Sequence, residues 1–324
     1  MSEISIGSAV GAGFSLIARR PVSVLTWGFL RVAFIAGIFA VYAPVLIGIF
    51  GEVAAQAQSG APPAPGEMSQ AMMSHMFMIQ GIGYLAQFIG LFLNSIILCA
   101  VARAVVHPER RALASLRLGA AEFFVVILSF AAGIALFFAL FIFAIPFVGV
   151  GVFLAMQHQY VAIGVVAAIA ALILVLGLVY VAAKFAFVAP MMVDDGHFHL
   201  FDAWSLTKGK VGSIILIGIC LGLIALLLGM LIDGLFFALA AGALGVAAGG
   251  FNNLQAFFQQ PPMAIITTLA PSLILLAILT IPVEGCALAI FIAPWARAYR
   301  DVVPGAPAAQ LTPPPAAQAL EATP

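Results

Sequence analysis

The chain has 324 residues, of which 65% are hydrophobic and 7% charged, and its twelve Lys and Arg balance twelve Asp and Glu to a formal net charge of zero. A soluble globule carries charge on about a quarter of its residues, so composition excludes one and leaves a polytopic membrane protein. Bulk neutrality gives no electrostatic reason to expect a nucleic acid or other polyanionic partner.

The apolar runs lack the alternation of barrel strands, and a lipid-embedded backbone must satisfy its own hydrogen bonds, so the expected fold class is an all-α membrane protein. In chain order, Ile6, Val10, Phe14 and Ile17 share one helical face ahead of Arg19 and Arg20, which predicts an amphipathic helix in the membrane interface. Apolar blocks follow near residues 22–50, 76–106, 123–147, 159–190, 211–240 and 264–296. Each exceeds the ~20 helical residues that cross a ~30 Å hydrocarbon core. The first is too long for a signal peptide and has no small-residue cleavage site behind it, so it reads as a retained helix. Pro44, Pro146 and the Asp233-Gly234 pair fall at similar depths toward the far ends of the first, third and fifth blocks, where they either bend the helix or, as the better reading, end it. A second interfacial face, Phe198, Phe201 and Trp204 with Lys208, precedes the fifth block.

Two polar stretches read as unstructured. Ala61-Pro62-Pro63-Ala64-Pro65-Gly66 is a loop, and residues 301–324, rich in Pro, Ala and Gln, form a disordered tail after a transmembrane domain of residues 1–300. Cys99, Cys220 and Cys286 lie inside spans without paired spacing and read as small apolar residues, not as disulfide or metal ligands.

None of the Lys and Arg residues falls on the far side of the membrane that these blocks draw. Arg19 and Arg20 precede the first block. Arg103, Arg110, Arg111 and Arg117 lie between the second and third, Lys184, Lys208 and Lys210 between the fourth and fifth, and Arg297 and Arg300 after the sixth. The alternate connections, 52–70, 147–157 and 249–262, carry none. Basic short loops stay cytoplasmic, so both termini are expected in the cytoplasm of a bacterial inner membrane. Arg19, Arg20, Trp204, Lys208, Lys210 and Arg297 are the expected lipid-interface residues, with membrane lipids as partners and a homo-oligomer or second membrane protein as a further possibility.

A repeat overlies this pattern. Ser115-Leu116-Arg117-Leu118-Gly119 matches Ser205-Leu206-Thr207-Lys208-Gly209, with Ser15-Leu16 before Arg19 as a weaker copy, and Ala102-Arg103-Ala104, Ala183-Lys184-Phe185 and Ala296-Arg297-Ala298 mark equivalent exits. The expected architecture is therefore six transmembrane helices arranged as three repeated units, each an interfacial helix followed by a transmembrane hairpin. Parallel hairpin repeats lack the membrane-plane inversion common among secondary transporters.

The stretch from Phe187-Val188-Ala189-Pro190-Met191-Met192-Val193-Asp194-Asp195-Gly196 through Ala203-Trp204-Ser205-Leu206-Thr207-Lys208-Gly209-Lys210 resembles a recurring cytoplasmic connector, and Ala293-Pro294-Trp295-Ala296-Arg297-Ala298-Tyr299-Arg300-Asp301 is similar to the basic, aromatic ending of the same family. That family is the membrane domain fused to some bacterial glycerophosphodiester phosphodiesterases, together with related stand-alone six-helix proteins. The resemblance spans roughly residues 1–303. It implies a six-helix inner-membrane protein of unassigned role and does not imply phosphodiesterase activity, since the catalytic domain of the fused proteins is soluble and separate. Asp194-Asp195 and the two histidines depart from the family's simpler acidic-glycine connector.

Three sites carry candidate chemistry. Asp194, Asp195, His197 and His199 have metal-ligand types, but on a helix His197 and His199 diverge by about 200°, and a helix N-cap at Asp194 or Asp195 is the preferred reading. Arg31 and Glu284 lie at matching depths of about 14–15 Å from the basic side, from the rise per residue. A charge alone at mid-membrane costs at least ~3 kcal/mol, so the two are natural partners. Gln80, Gly83, Gln87, Gly90 and Asn94 form a seam on the second span, which predicts a buried polar network of Arg31, Gln87, Asn94 and Glu284, either fixing helix register or serving as a proton or ligand site; alternatively Arg31 snorkels. Gly218 with Gly222 and Gly245 with Gly249 permit close helix contacts. No phosphate loop, nucleophile elbow or zinc-protease motif occurs. The expectation is a non-catalytic protein without cofactor that organises lipid or a membrane partner, with a transporter or channel using the Arg31 and Glu284 region as the alternative.

Overall fold

A computed structural model describes residues 4–59, 70–109, 113–198, 200–253, 256–257 and 259–303. The regular elements among them are all helical: α1 (Ile6–Arg19), α2 (Pro21–Ser59), α3 (Gln70–Val106), α4 (Ala120–Met156), α5 (Tyr160–Phe185), α6 (Val188–Asp195), α7 (Leu200–Leu206), α8 (Val211–Ala247) and α9 (Pro262–Val302), with short 3-10 turns at Leu113–Ser115 and Phe251–Asn253. Six segments, Pro21–Ile49, Met72–Val106, Ala120–Met156, Tyr160–Asp195, Val211–Ala247 and Met263–Val302, are long and apolar enough to cross a membrane. The chain is an all-α protein with the make-up of a multi-pass membrane protein. The Ala61–Gly66 loop and most of the 301–324 tail lie outside the described residues.

The helices do not end where the sequence suggested. α2 continues through Pro44, α4 through Pro146 and α8 through Asp233 and Gly234. A proline removes one ladder hydrogen bond. A helix end inside an apolar run would instead strand up to four donors or acceptors, which hydrocarbon cannot satisfy.

Packing concentrates at the basic end. The main cluster joins Ala9 of α1, Cys99 and Ala102 of α3, Phe187 and Met192 of α6, Ile214 and Ile217 of α8, and Ala296 and Tyr299 of α9, and an adjoining one is centred on Trp27, Ile97, Val101 and Ala289. Toward the opposite end burial thins, although α2 and α3 remain in contact there, with Gly48 against His75. The buried residues of α4 are Ala121, Glu122, Val125 and Val126, all in its first two turns. Beyond them Phe137, Phe141, Phe153, Leu172, Leu227 and Met230 are exposed.

α9 is the central post, touching α1, α2, α3, α6 and α8. Glycine lets it do so. A Cβ at Gly28 of α2 would stand 2.0 Å from the Ile281 carbonyl oxygen, one at Gly285 of α9 would stand 2.2 Å from the Val24 carbonyl oxygen, and one at Gly13 of α1 would stand 2.5 Å from the Ile290 Cα. Backbone therefore touches backbone, as small residues permit in membranes. Of the pairs picked from sequence, Gly222 has open space beside it, and Gly249 takes φ 68° in the turn that ends α8.

α1 departs from the sequence reading. It buries Ala9, Ala12, Gly13 and Leu16 most deeply, while Ile6, Val10 and Ile17 pack partly buried against the core and Phe14 alone of the predicted face is exposed. Its small-residue face seats it directly on α9, where large side chains would hold it off.

The entries to the three hairpins also differ. α1 leads into α2 and α7 into α8, whereas α4 is preceded by a 3-10 turn. The matched glycines disagree as well: Gly119 is extended at φ −148° and Gly209 left-handed at φ 78°.

Candidate functional site

Two charged residues meet in the apolar interior of the spans. Arg31 Nε lies 3.1 Å from Glu284 Oε2, with side chains 39% and 27% exposed. The α2–α9 crossing sets this geometry, because Arg31 stands one turn beyond Gly28 and Glu284 is next to Gly285. Gln87 and Asn94 do not join them. Both are exposed. The glycines beside them admit rings from α2: a Cβ at Gly83 would lie 3.0 Å from Tyr42 Oη, and one at Gly90 would lie 3.2 Å from the Phe34 ring. Those rings fill the seam, so the expected four-residue network reduces to one ion pair.

The densest polar cluster lies at the basic end and binds the α3–α4 connector. Arg103, in the last turn of α3, donates from Nη1 to the Ser115 carbonyl oxygen at 2.6 Å and pairs through Nη2 with Glu122 in the first turn of α4. Glu122 Oε2 also accepts the Gly119 backbone N–H at 3.0 Å. A cation at a helix C-terminus and an anion at an N-terminus each complement the helix dipole. Trp27 Nε1 donates to the Ala114 carbonyl oxygen at 2.8 Å, and Arg20 donates to Ser115 Oγ at 3.4 Å and to the Pro108 carbonyl oxygen. Ala114 and Ser115 take positive φ, 51° and 52°. Side-chain donors thus claim the carbonyls an interfacial helix would use, which explains the turn found there.

Asp194 and Asp195 close the C-terminal end of α6, and Gly196 follows in the left-handed conformation. Neither caps α7, so the N-cap reading is corrected. Asp195 Oδ1 accepts the His197 N–H at 3.0 Å in a local turn. Asp194 instead bridges helices: its Oδ2 accepts the Tyr299 hydroxyl at 3.0 Å, and its Oδ1 lies 3.4 Å from His107 Nε2. Arg300 Nη1 donates to the Val105 carbonyl oxygen at 3.0 Å. This cluster ties the ends of α3, α6 and α9 together. His199 lies outside the described residues, among which no group of three or more potential metal ligands is found.

The expected lipid-interface residues divide. Arg19 and Lys208 are exposed, Lys210 is half-buried, and Trp204 stands at 40% exposure beside Phe201 at 82%. Arg20 and Arg297 turn inward, Arg20 onto the connector and Arg297 Nε to 3.4 Å from Asp301 Oδ1. A side chain at a span terminus can reach either lipid or its neighbours, and here the uncapped carbonyls and carboxylates nearby win. Lys184 entered the sequence reading as a basic residue of the cytoplasmic side and an exit marker, yet it is buried, with Nζ 5.1 Å from the Trp204 ring centroid and 5.7 Å from that of Tyr180. Glu122 escaped notice too, although an acid three residues beyond the N-cap is itself a legible helix-start signal. Comparison of the chain with protein-family models, with curated proteins and with solved structures finds no match.

Proposed function

We propose that this protein is a non-catalytic, multi-pass protein of a bacterial inner membrane that organises lipid or a membrane partner, with its basic end and both termini on the cytoplasmic side. The observation carrying this reading is the division of the molecule. Many polar side chains at the basic end hold helices and connectors together, while the opposite halves of α4, α5 and α8 leave large apolar side chains such as Phe141, Leu172 and Leu227 exposed. Exposed apolar surface on that scale demands an occupant, and in a bilayer that is acyl chain or a second protein. The connector and terminal motifs that resemble the phosphodiesterase-associated membrane domain, and the three hairpins behind basic entries, agree with it.

The test is native mass spectrometry of the purified protein released from detergent. Retention of one lipid class above its abundance in the membrane extract is expected. A protein that retains neither a selected lipid nor a co-purified membrane partner would overturn the reading.

A second reading, transport of a proton or small solute, is favoured by the partial exposure of the Arg31–Glu284 pair. Its charges sit within a span, where such groups commonly mark pathways.

A further inference from the structure

Lys184 stands out among the buried charges because no anion answers it. The residue is 5% exposed, and its ammonium makes no hydrogen bond or ion pair with any described residue. It is held by the Trp204 ring at 5.1 Å and the Tyr180 ring at 5.7 Å, and it lies in the last turn of α5, where the helix dipole is negative. Aromatic faces and a dipole attract the cation. They offer its three N–H donors no acceptor, so an oxygen from outside the described chain would complete their hydrogen bonding.

The surroundings say what supplies the acceptor. Tyr180 and Trp204, which form the cage, are themselves 46% and 40% exposed, and Phe201 beside them is 82% exposed. The cage therefore opens onto apolar surface at the basic end of the spans, the depth at which headgroup meets acyl chain. Lys208 is exposed in the turn just past the end of α7, adding positive charge at the same end.

Resting on the lipid-organising reading, we infer that Lys184 with Trp204 and Tyr180 forms a binding site for one anionic phospholipid, its phosphate on the Lys184 ammonium and its acyl chains against Tyr180 and Phe201. The site gives that reading a lipid class. It also explains why α7 is pinned to the end of α5 by a lysine where an apolar residue would pack at lower desolvation cost.

The experiment uses the full chain in nanodiscs of phosphatidylcholine containing a fixed minor fraction of acyl-brominated phosphatidylglycerol or, in parallel, acyl-brominated phosphatidylcholine. The Trp204 signal is isolated by subtracting Trp204→Phe. About fivefold stronger occupancy by the anionic lipid is expected, the effect of one lysine near a membrane surface. Lys184→Gln should bring the ratio to near one, while Lys184→Arg and Lys210→Gln should keep it. Equal quenching by the two lipids in the unaltered protein overturns the site without need of any variant. So does an equal fall in Lys184→Gln and Lys210→Gln, which would mean generic charge attraction, and so does loss of the preference in phosphate-rich buffer at matched ionic strength, which would mean a free-anion site. If native mass spectrometry retains a selected lipid while Trp204 reports none, this site fails and the broader function stands.

Discussion

Gly285→Ala should loosen the molecule at the crossing of α2 and α9. The added Cβ would stand 2.2 Å from the Val24 carbonyl oxygen, whereas carbon and oxygen atoms in close helix contact sit about 3.3 Å apart. The helices must therefore part by about 1 Å, since the obstacle is backbone and cannot swing aside. Overpacking of this kind costs about 1–3 kcal/mol, and two rigid helices place it at the upper end. Alanine recovers about 1 kcal/mol of helix propensity over glycine, leaving a net loss of about 2 kcal/mol by difference. The same separation stretches the Arg31–Glu284 contact from 3.1 Å to a length at which it is no longer a hydrogen-bonded pair. Gly133→Ala is the matched control, because a Cβ there meets nothing within 4 Å and only the propensity gain remains. The assay is the fraction of detergent-purified protein that stays monodisperse after graded heating. Gly285→Ala should fail at a lower temperature than the unaltered protein, and Gly133→Ala should match or exceed it. Equal behaviour of the two variants would refute the backbone-contact geometry.

The ion pair itself predicts non-additive losses. Arg31→Met or Glu284→Gln alone strands a partner in an apolar span and should lower folding yield more than the double substitution does, with about 3 kcal/mol or more at stake for the bare charge. Additive losses in a double-mutant cycle would show that the two residues act independently. Orientation is checked by an impermeant maleimide on a cysteine-free background, in which Gln259→Cys should react in intact cells and Leu118→Cys, at a position 82% exposed, only after permeabilisation. The reverse pattern would invert the assigned sides and with them the cytoplasmic lipid site.

The spans were legible because their signal is additive over about twenty residues: every helix start at the basic end lies within a few residues of its hydropathy block. The pairing of Arg31 with Glu284 was legible for a related reason, since depth follows from counting residues and two charges at one depth in lipid have few alternatives. Lateral facts were not. Whether Gln87 turns toward Glu284 depends on what fills the α2–α3 seam, and Tyr42 and Phe34 fill it, a matter of tertiary packing that no window on α3 contains. Helix ends were misjudged for a different cause: Pro44 and Pro146 carry breaker rules drawn from water, where a helix end can be solvated. The connector before α4 was missed because its conformation is imposed by Arg103 together with Trp27 and Arg20, the last two far from Ala114 in sequence.

α4 has 37 residues, α8 has 37 and α9 has 41. At about 1.5 Å per residue these rods reach about 55–60 Å, roughly twice the ~30 Å of hydrocarbon they cross. Such an excess is relieved by leaning over, by projecting past the headgroups or by thickening the surrounding bilayer. α2 and α3 stay in contact far from the basic end, where Gly48 lies against His75 and Tyr42 Oη donates to the Ile79 carbonyl oxygen, so those two rods lean together. The glycine-tight base fixes where α1, α2 and α9 meet, and the excess length is taken up beyond it.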